Sequence, residues 1–548
     1  MKPSPLKRYA QKELNGWWIV SMIAAAVILL PILYVFVELF QVPNENWFQI
    51  RQYLIKNYVS NTLFLVVLTG VFTSFLGITL AWLTAAYDFP LRKFFRWGLM
   101  LPLAIPPYIA AYTYRTMLSF TGVIQTTLRN NFDYQISPDL LSISSLRGAV
   151  FIFSVFLFPY VYIIARAFLE SQSSAYIESA RLLGRKPLVV FTKVVLPLSR
   201  PALIGGAILV IYEVLSDYGV TSYFGIHTIT TAIFQTWFGM YDVDTAMRLA
   251  AWLMMFIVGM MILERLIRMR QRYHISNKSR PLVPMKLKGI PAAAAFFYCT
   301  AVFLLGFLIP FIQLIAWAKL TVNKVWDMEF FTLLYQTVLV AAISTSIILV
   351  VAVIVANVSR SKTPFSFVLS KWVTSGYSIP GAIIAIGVLA IFIRLDENLA
   401  PLYSLVGLGD APLVLSMSMA MLVVGYTIRF IATGYNAIEV GFEKIGSKYT
   451  EASRLLGNGV TKTFFKVDLP LIKGALLSGF ILTFVEICKE LPLVLLLRPF
   501  NFETLATKTY QYAKDEMIQE ASIPSLMIIG LSVLSVIIFH MIDKRVKQ

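Results

Sequence analysis

The sequence predicts an all-α polytopic membrane protein of about twelve transmembrane helices, arranged as two parallel six-helix repeats. Three observations predict it. Hydrophobic residues make up 58% of the 548 positions and charged residues only 14%, where a soluble globular chain carries about 25% charged. Apolar runs long enough to span a bilayer recur along the chain, whose mean hydropathy is +0.74. One polar stretch is also written twice: "ESARLLGRKPLVVFTKVVLPLSRPAL" (178–203) returns 273 residues later as "EASRLLGNGVTKTFFKVDLPLIKGAL" (451–476).

A spanning helix needs about 20 mostly apolar residues. Such runs lie near 17–40, 59–87, 98–118, 147–169, 201–219 and 246–268, and again near 290–318, 333–357, 372–394, 411–434, 474–497 and 521–542. The first is longer than a signal peptide's apolar core, and no small-residue cleavage site follows it. Helices are expected because an open chain in lipid must satisfy its own backbone. These runs are also too long for barrel strands.

Lysine and arginine orient the spans. Lys2, Lys7, Arg8 and Lys12 precede the first span; Arg92, Lys93 and Arg96 follow the second. Arg265, Arg268, Arg270, Arg272, Lys278, Arg280, Lys286 and Lys288 fill the central connection, and Lys544, Arg545 and Lys547 close the chain. The alternate loops hold acids instead: Asp242, Asp244, Asp396, Glu397, Asp515, Glu516 and Glu520. With twelve spans every basic loop falls on one side, which the positive-inside rule assigns to the cytoplasm, together with both termini. The net charge of +18 is therefore read as topology signal, not as a nucleic-acid footprint.

The duplication extends beyond the polar stretch. "AIPPYIAAY" from Ala104 matches "SIPGAIIAI" from Ser378, and "YEVLSDYG" from Tyr212 matches "VEICKELP" from Val485. "TAIFQTW" (231–237) has a counterpart in "TLATKTY" (504–510). Copies of the same direction imply an axis along the membrane normal with a pathway between the halves. The basic stretch 271–289, with Pro281 and Pro284, joins residues 1–270 to residues 290–548.

The repeated segment has a physical reading. Glu178 and Glu451 open short helices, where the dipole favours an acid. Gly184 and Gly457 suit a helix stop. Pro197 and Pro470 end the polar segment and let the next span begin. A helix–turn–helix with small residues at its contact positions results.

Glu178, Ser179, Ala180, Gly184, Val194, Leu196 and Pro197, repeated as Glu451, Ala452, Ser453, Gly457, Val467, Leu469 and Pro470, resemble the EAA loop of binding-protein-dependent ABC importer permeases. That loop reads Glu-Ala-Ala, three residues, Gly, nine residues, Ile, one residue, Leu-Pro; here serine replaces one alanine and valine replaces isoleucine in each copy. The resemblance covers almost the whole chain. It implies a type I ABC importer permease with coupling loops at about 172–200 and 440–473. The implied partners are an ABC ATPase, in two copies, and a periplasmic or lipid-anchored substrate-binding protein. The location implied is the bacterial cytoplasmic membrane. The two-in-one length, with "YEVLSDYGVTSYFGIHTITTAIFQTWFGMYD" (212–242) and "KELPLVLLLRPFNFETLATKTYQYAKDE" (489–516), looks like the iron(III) permeases; thiamine and phosphonate permeases are their relatives.

Glu213 and Asp217, with Glu486 and Glu490, lie in the spans after the polar segments, four apart in each copy, and so should share a helix face. Four acids facing lipid would cost on the order of 10 kcal/mol, so they should face the interior. Hard ferric ion prefers oxygen donors, and Tyr212 or Tyr218 stands near. The same acids could instead pair locally, as Glu486 with Lys489, or gate the outer interface. Arg429 is expected near the cytoplasmic end of its span, free to snorkel. "IPP" (105–107) and "IPG" (379–381) break matched spans, as kinks lining the pathway or as simple bends.

The chain has no Gly-x4-Gly-Lys-Ser/Thr loop, so ATP is expected to be bound and hydrolysed by a separate ATPase and this chain to carry no cofactor. Two cysteines (Cys299, Cys488) and three scattered histidines (His227, His274, His540) make no metal or disulfide framework. No nucleophile–base set marks an enzyme. A gradient-driven secondary transporter is the other class, but it would have no ATPase to engage with a duplicated cytoplasmic motif.

Overall fold

The computed structural model describes residues 16–134, 136–137, 141–171, 175–269, 282–360, 363–405, 407, 413–416 and 418–547. Lys2, Lys7, Arg8, Lys12, residues 172–174 of the first polar segment and linker residues 270–281 lie outside them.

All twelve expected stretches carry helix among the described residues. Six helical stretches are long and apolar enough to cross a membrane: Gly16–Phe40, Glu45–Ala86, Leu146–Glu170, Val243–Leu266, Ile290–Val325 and Met328–Ser359. Two bent pairs, Pro187–Leu198 with Arg200–Ser216 and Val460–Leu471 with Lys473–Lys489, bring that to eight. The stretch 98–118, expected as one span, is broken. Pro102, Pro106 and Pro107 divide it into a short turn, Leu101–Ala104, and a helix, Pro107–Leu118, because proline donates no backbone hydrogen bond and biases the residue before it out of the helical region.

Each copy is built on three packed helices. Ile55–Ala86, Leu146–Ser171 and Arg200–Ser216 pack together; so do Met328–Ser359, Met419–Ile445 and Lys473–Lys489, every one starting 273 residues later. Small residues allow the approach. A Cβ on Gly77 would lie 2.6 Å from Val161, and one on Gly206 would lie 2.7 Å from the Val161 Cα. In the second copy Gly434 takes the place of Val161, and the crowding moves to Ile348 and Leu349.

The first helix of each copy crosses to the other. Gly16–Val37 packs on Gly381–Leu405 and Met328–Ser359, while Ile290–Phe303 and Ile309–Val325 pack on Arg92–Gly98 and Pro107–Leu118. The halves are thereby interlocked around a shared interior.

The polar segments repeat element for element. Helix Ala175–Leu182, a turn, helix Pro187–Val190 and a wide turn Phe191–Val195 are matched by Lys448–Leu455, Val460–Thr463 and Phe464–Asp468. Gly184 (φ +68°) and Gly457 (φ +83°) end the first helices. The Gly184 and Arg185 N–H groups donate to the Arg181 and Ala180 carbonyls, and those of Gly457 and Asn458 to Arg454 and Ser453, the Schellman pattern that needs a left-handed residue. Pro197 and Pro470 do not open the next span as expected. Each sits in a three-residue turn before it, and the spans begin at Arg200 and Lys473 after bends of 70° and 71°. Behind the first segment the linker adds a parallel bridge, Met285–Lys286 against Tyr87–Asp88.

Candidate functional site

The surface of the two polar segments is the first site. Glu178, Ser179 and Gly184 are exposed and Ala180 half-buried; Glu451, Ala452 and Gly457 are exposed and Ser453 is buried. Leu196 is exposed and Pro197 half-buried, Leu469 half-buried and Pro470 exposed. Ser453 shares hydrogen bonds with Thr463 (3.0 Å) and Asn458 (3.2 Å), which fasten the turn. Sequence reasoning passed over the residues that stand out most: Leu182 and Leu183 are 88% and 78% exposed, and Leu455 and Leu456 are 89% and 83% exposed. The identical "RLLG" in both copies was the available signal. Paired leucines set forward beside an acid on a polar loop form an apolar contact patch.

The second site lies between the halves. A cavity of about 100 Å³ is lined by Glu213, Asp217, Glu486 and Glu490, so the structure brings all four predicted acids together. They do not lie in pairs on one helix face. Helix Arg200–Ser216 stops before Asp217 and helix Lys473–Lys489 stops before Glu490. Asp217 accepts from the Val220 and Thr221 N–H groups (3.0 and 3.2 Å), and Glu490 from the Leu493 N–H (3.3 Å). Each thus caps a short helix, Gly219–Tyr223 or Pro492–Leu497. Glu213 meets the Tyr160 hydroxyl at 3.5 Å, and Glu486 pairs with Lys489 at 2.7 Å.

Arg429 does not snorkel. It is buried within helix Met419–Ile445 and lines the same cavity. It donates to the Ile379 carbonyl and to Ser216 Oγ (3.1 Å), which also accepts from the Gly381 N–H (3.2 Å). A guanidinium inside the bilayer must find acceptors, and the two proline breaks supply the geometry: Ile105, Pro106 and Pro107 form one wall, and Ile379 and Gly381 stand at the other. The tyrosines that line the cavity are Tyr108 and Tyr160; Tyr218 stacks on Phe234 (3.7 Å between centroids) instead. Tyr212 is buried outside the lining. Among the described residues no three His, Cys, Asp or Glu side chains converge to hold a metal ion.

A larger cavity, about 1030 Å³, opens at the start of Met328–Ser359. Its wall combines Trp237, Phe238 and Tyr241 of the first copy with Lys324, Arg498 and Lys508 of the second.

Comparison with known proteins matches residues 75–280 and 348–548 to the family described as "Binding-protein-dependent transport system inner membrane component". The "Fe(3+)-transport system permease protein FbpB 2" of Haemophilus influenzae is 22% identical over 480 residues, covering 86% of this chain and 87% of the relative. The "Ferric transport system permease protein FbpB" of Actinobacillus pleuropneumoniae is 21% identical over 480 residues, 84% of this chain and 68% of the relative. The "Sulfate transport system permease protein CysW" of Escherichia coli is 26% identical over 226 residues, 40% of this chain and 74% of the relative.

Proposed function

The chain belongs to the family of binding-protein-dependent transport system inner membrane components, and from that premise we propose that it is the transmembrane permease subunit of an ATP-driven importer whose substrate is ferric iron. Residues 1–270 and 290–548 are its two transmembrane domains, with twelve crossings and both termini in the cytoplasm. A binding protein delivers substrate at the large cavity. A separate ATPase, in two copies, engages the two polar segments as coupling loops.

The exposed Leu182–Leu183 and Leu455–Leu456 pairs support the coupling role. Burying a leucine is worth about 1.5–3 kcal/mol, so four of them beside Glu178 and Glu451 suit a protein partner better than water. A gradient-driven transporter would gain nothing from such a patch in both copies.

The substrate reading is carried by one observation: four carboxylates against two cationic side chains, Arg429 and Lys489, around the cavity between the halves. Four acids and two cations leave a formal excess of two negative charges, which attracts a cation strongly where water is scarce. Carboxylate oxygens are the ligands that hard cations prefer. The similarity to ferric permeases over most of the chain supports the same reading; the sulfate permease matches one half-length. Uptake of radioiron by cells with and without the gene, competed by sulfate, thiamine or phosphonate, tests it. Gene-dependent ferric uptake that resists all three competitors is expected. Gene-dependent uptake of sulfate in its place overturns the substrate while keeping the importer class.

A further inference from the structure

Tyr108 opens the helix Pro107–Leu118 directly after the Ile105–Pro106–Pro107 break and lines the cavity between the halves. Its side chain is 6% exposed, and its hydroxyl has no hydrogen-bond partner. The ring is held tightly, since a Cβ on Gly219 would stand 2.5 Å from the Tyr108 Cβ. The other unpartnered hydroxyls among the described residues belong to serines and threonines, none of which lines this cavity.

A buried hydroxyl without a partner is a net cost to the fold, and phenylalanine would fill the same space without it. On the cavity wall the oxygen is open to a use beyond folding. The second copy holds Ala382 at the matching place, so the phenol stands on one side only. Around it the cavity offers more oxygen: Glu490, held against Gly381, and Glu213, which accepts from the Tyr160 hydroxyl at 3.5 Å.

We propose that the Tyr108 hydroxyl, with the carboxylates of Glu213 and Glu490, forms a transient oxygen-donor station for a hard trivalent cation crossing between the halves. This rests on the ferric reading above. The station is deliberately incomplete: the carboxylates do not converge into a metal cage among the described residues, and a site on a transport path must bind well enough to admit the ion and weakly enough to release it. The phenol adds a third hard donor from the opposite copy to Glu490, so the ion is shared between the halves and is handed on when they move apart.

The test is Tyr108→Phe in cells that carry the whole importer, with radioiron supplied as ferric citrate. Membrane level and ATPase co-purification are measured beside uptake. Ferric uptake is expected to fall about tenfold, equivalent to ~1.4 kcal/mol, with assembly unchanged and thermal stability equal or higher. Glu490→Gln should fall similarly, and the double variant should be no worse than the worse single one, as for residues that act on one ion. Wild-type ferric uptake in Tyr108→Phe overturns the station and leaves the ferric reading standing. Loss of the variant from the membrane also overturns it, since the hydroxyl would then serve the fold. Wild-type cells that import sulfate and no iron bring down the ferric reading and the station together.

Discussion

Arg360 Nη1 stands 3.1 Å from Asp468 Oδ1 at the base of the second polar segment. The positions one repeat earlier are Tyr87 and Val195, both buried and apolar. Arg360 also donates to Thr450 (2.7 Å) and lies over the Phe442 ring at 4.5 Å, and Thr450 bonds Asp468 in turn. The first segment is held instead by packing: Ile177 and Val195 are buried in one cluster with Trp82 and Tyr87, and Arg181 covers both rings at 5.7 and 5.6 Å. Two segments of the same shape are thus fastened by different forces.

Breaking the ionic fastening should uncouple one side. Arg360→Met leaves Asp468 buried without its cation, a loss of about 3–5 kcal/mol for a buried pair. ATPase stimulation by substrate-loaded binding protein should fall, and the exchange Arg360→Asp with Asp468→Arg should restore part of it. Full stimulation in Arg360→Met would show that the clamp is dispensable. Tyr87→Ala should have the corresponding effect on the first segment without sensitivity to salt.

The exposed leucine patch of the two polar segments can be removed without touching the core. Glu178→Lys with Glu451→Lys, or serine at Leu182, Leu183, Leu455 and Leu456, should leave the protein in the membrane. Each leucine lost from a buried contact is worth roughly 1.5–3 kcal/mol, so ATPase co-purification should disappear with the leucines and weaken with the charge reversals. Transport at the wild-type rate in either variant would remove the coupling assignment.

Gly184 and Gly457 separate conformation from contact. A Cβ at either meets nothing within 4 Å, while φ is +68° and +83°. Valine should therefore cost about 1–2 kcal/mol in backbone strain alone, and asparagine, which tolerates this region, should behave nearly as glycine does. Uptake rates in the order Gly, Asn, Val are the expected readout; equal damage from Asn and Val would point to a contact at the glycine itself.

The carboxylates make a sharper comparison. Glu213→Gln with Glu486→Gln keeps size and hydrogen bonding but leaves Lys489, now 2.7 Å from Glu486, without its counter-charge. Ferric uptake should fall steeply in the Gln pair, and Ala should do little further harm. If the acids only brace helices, Gln should serve and Ala should not. Near-normal ferric uptake in the Gln pair would remove the charge-based path.

Reporter fusions settle the sidedness. Fusions after Lys288 and at the C-terminus should report cytoplasm, and one within 225–245 should report the outside. A cytoplasmic signal from that loop breaks the count of six crossings per copy.

Much of this was legible in the sequence because it depends on run length and period. The 273-residue offset carried over to the first residue of each core helix and to both Schellman turns, since Gly184 and Gly457 are local signals. What depends on tertiary partners was not legible. Periodicity put Glu213 and Asp217 on one face, but the helix stops at Ser216 and the next short helix takes Asp217 as its cap. Arg429 near a run's end reads as a snorkelling residue; its acceptors, Ile379 and Ser216, come from distant positions. Tyr108 was hidden inside an apolar run. The match of "TAIFQTW" to "TLATKTY" slips by three: the capping boxes align Thr228 and Thr231 with Thr504 and Thr507.

The interlocked halves have a genetic consequence. In a pair of identical subunits every residue beside the two-fold axis occurs twice, and an arginine there would face its own twin. Here Arg429 faces the half that carries Phe156 at the matching position; Lys489 is matched by Ser216, and Tyr108 by Ala382. One polypeptide lets a single codon alter one wall of the cavity and leave the other untouched. The cavity can therefore hold one guanidinium and one ammonium, an odd stoichiometry that no symmetric dimer of either half could reproduce.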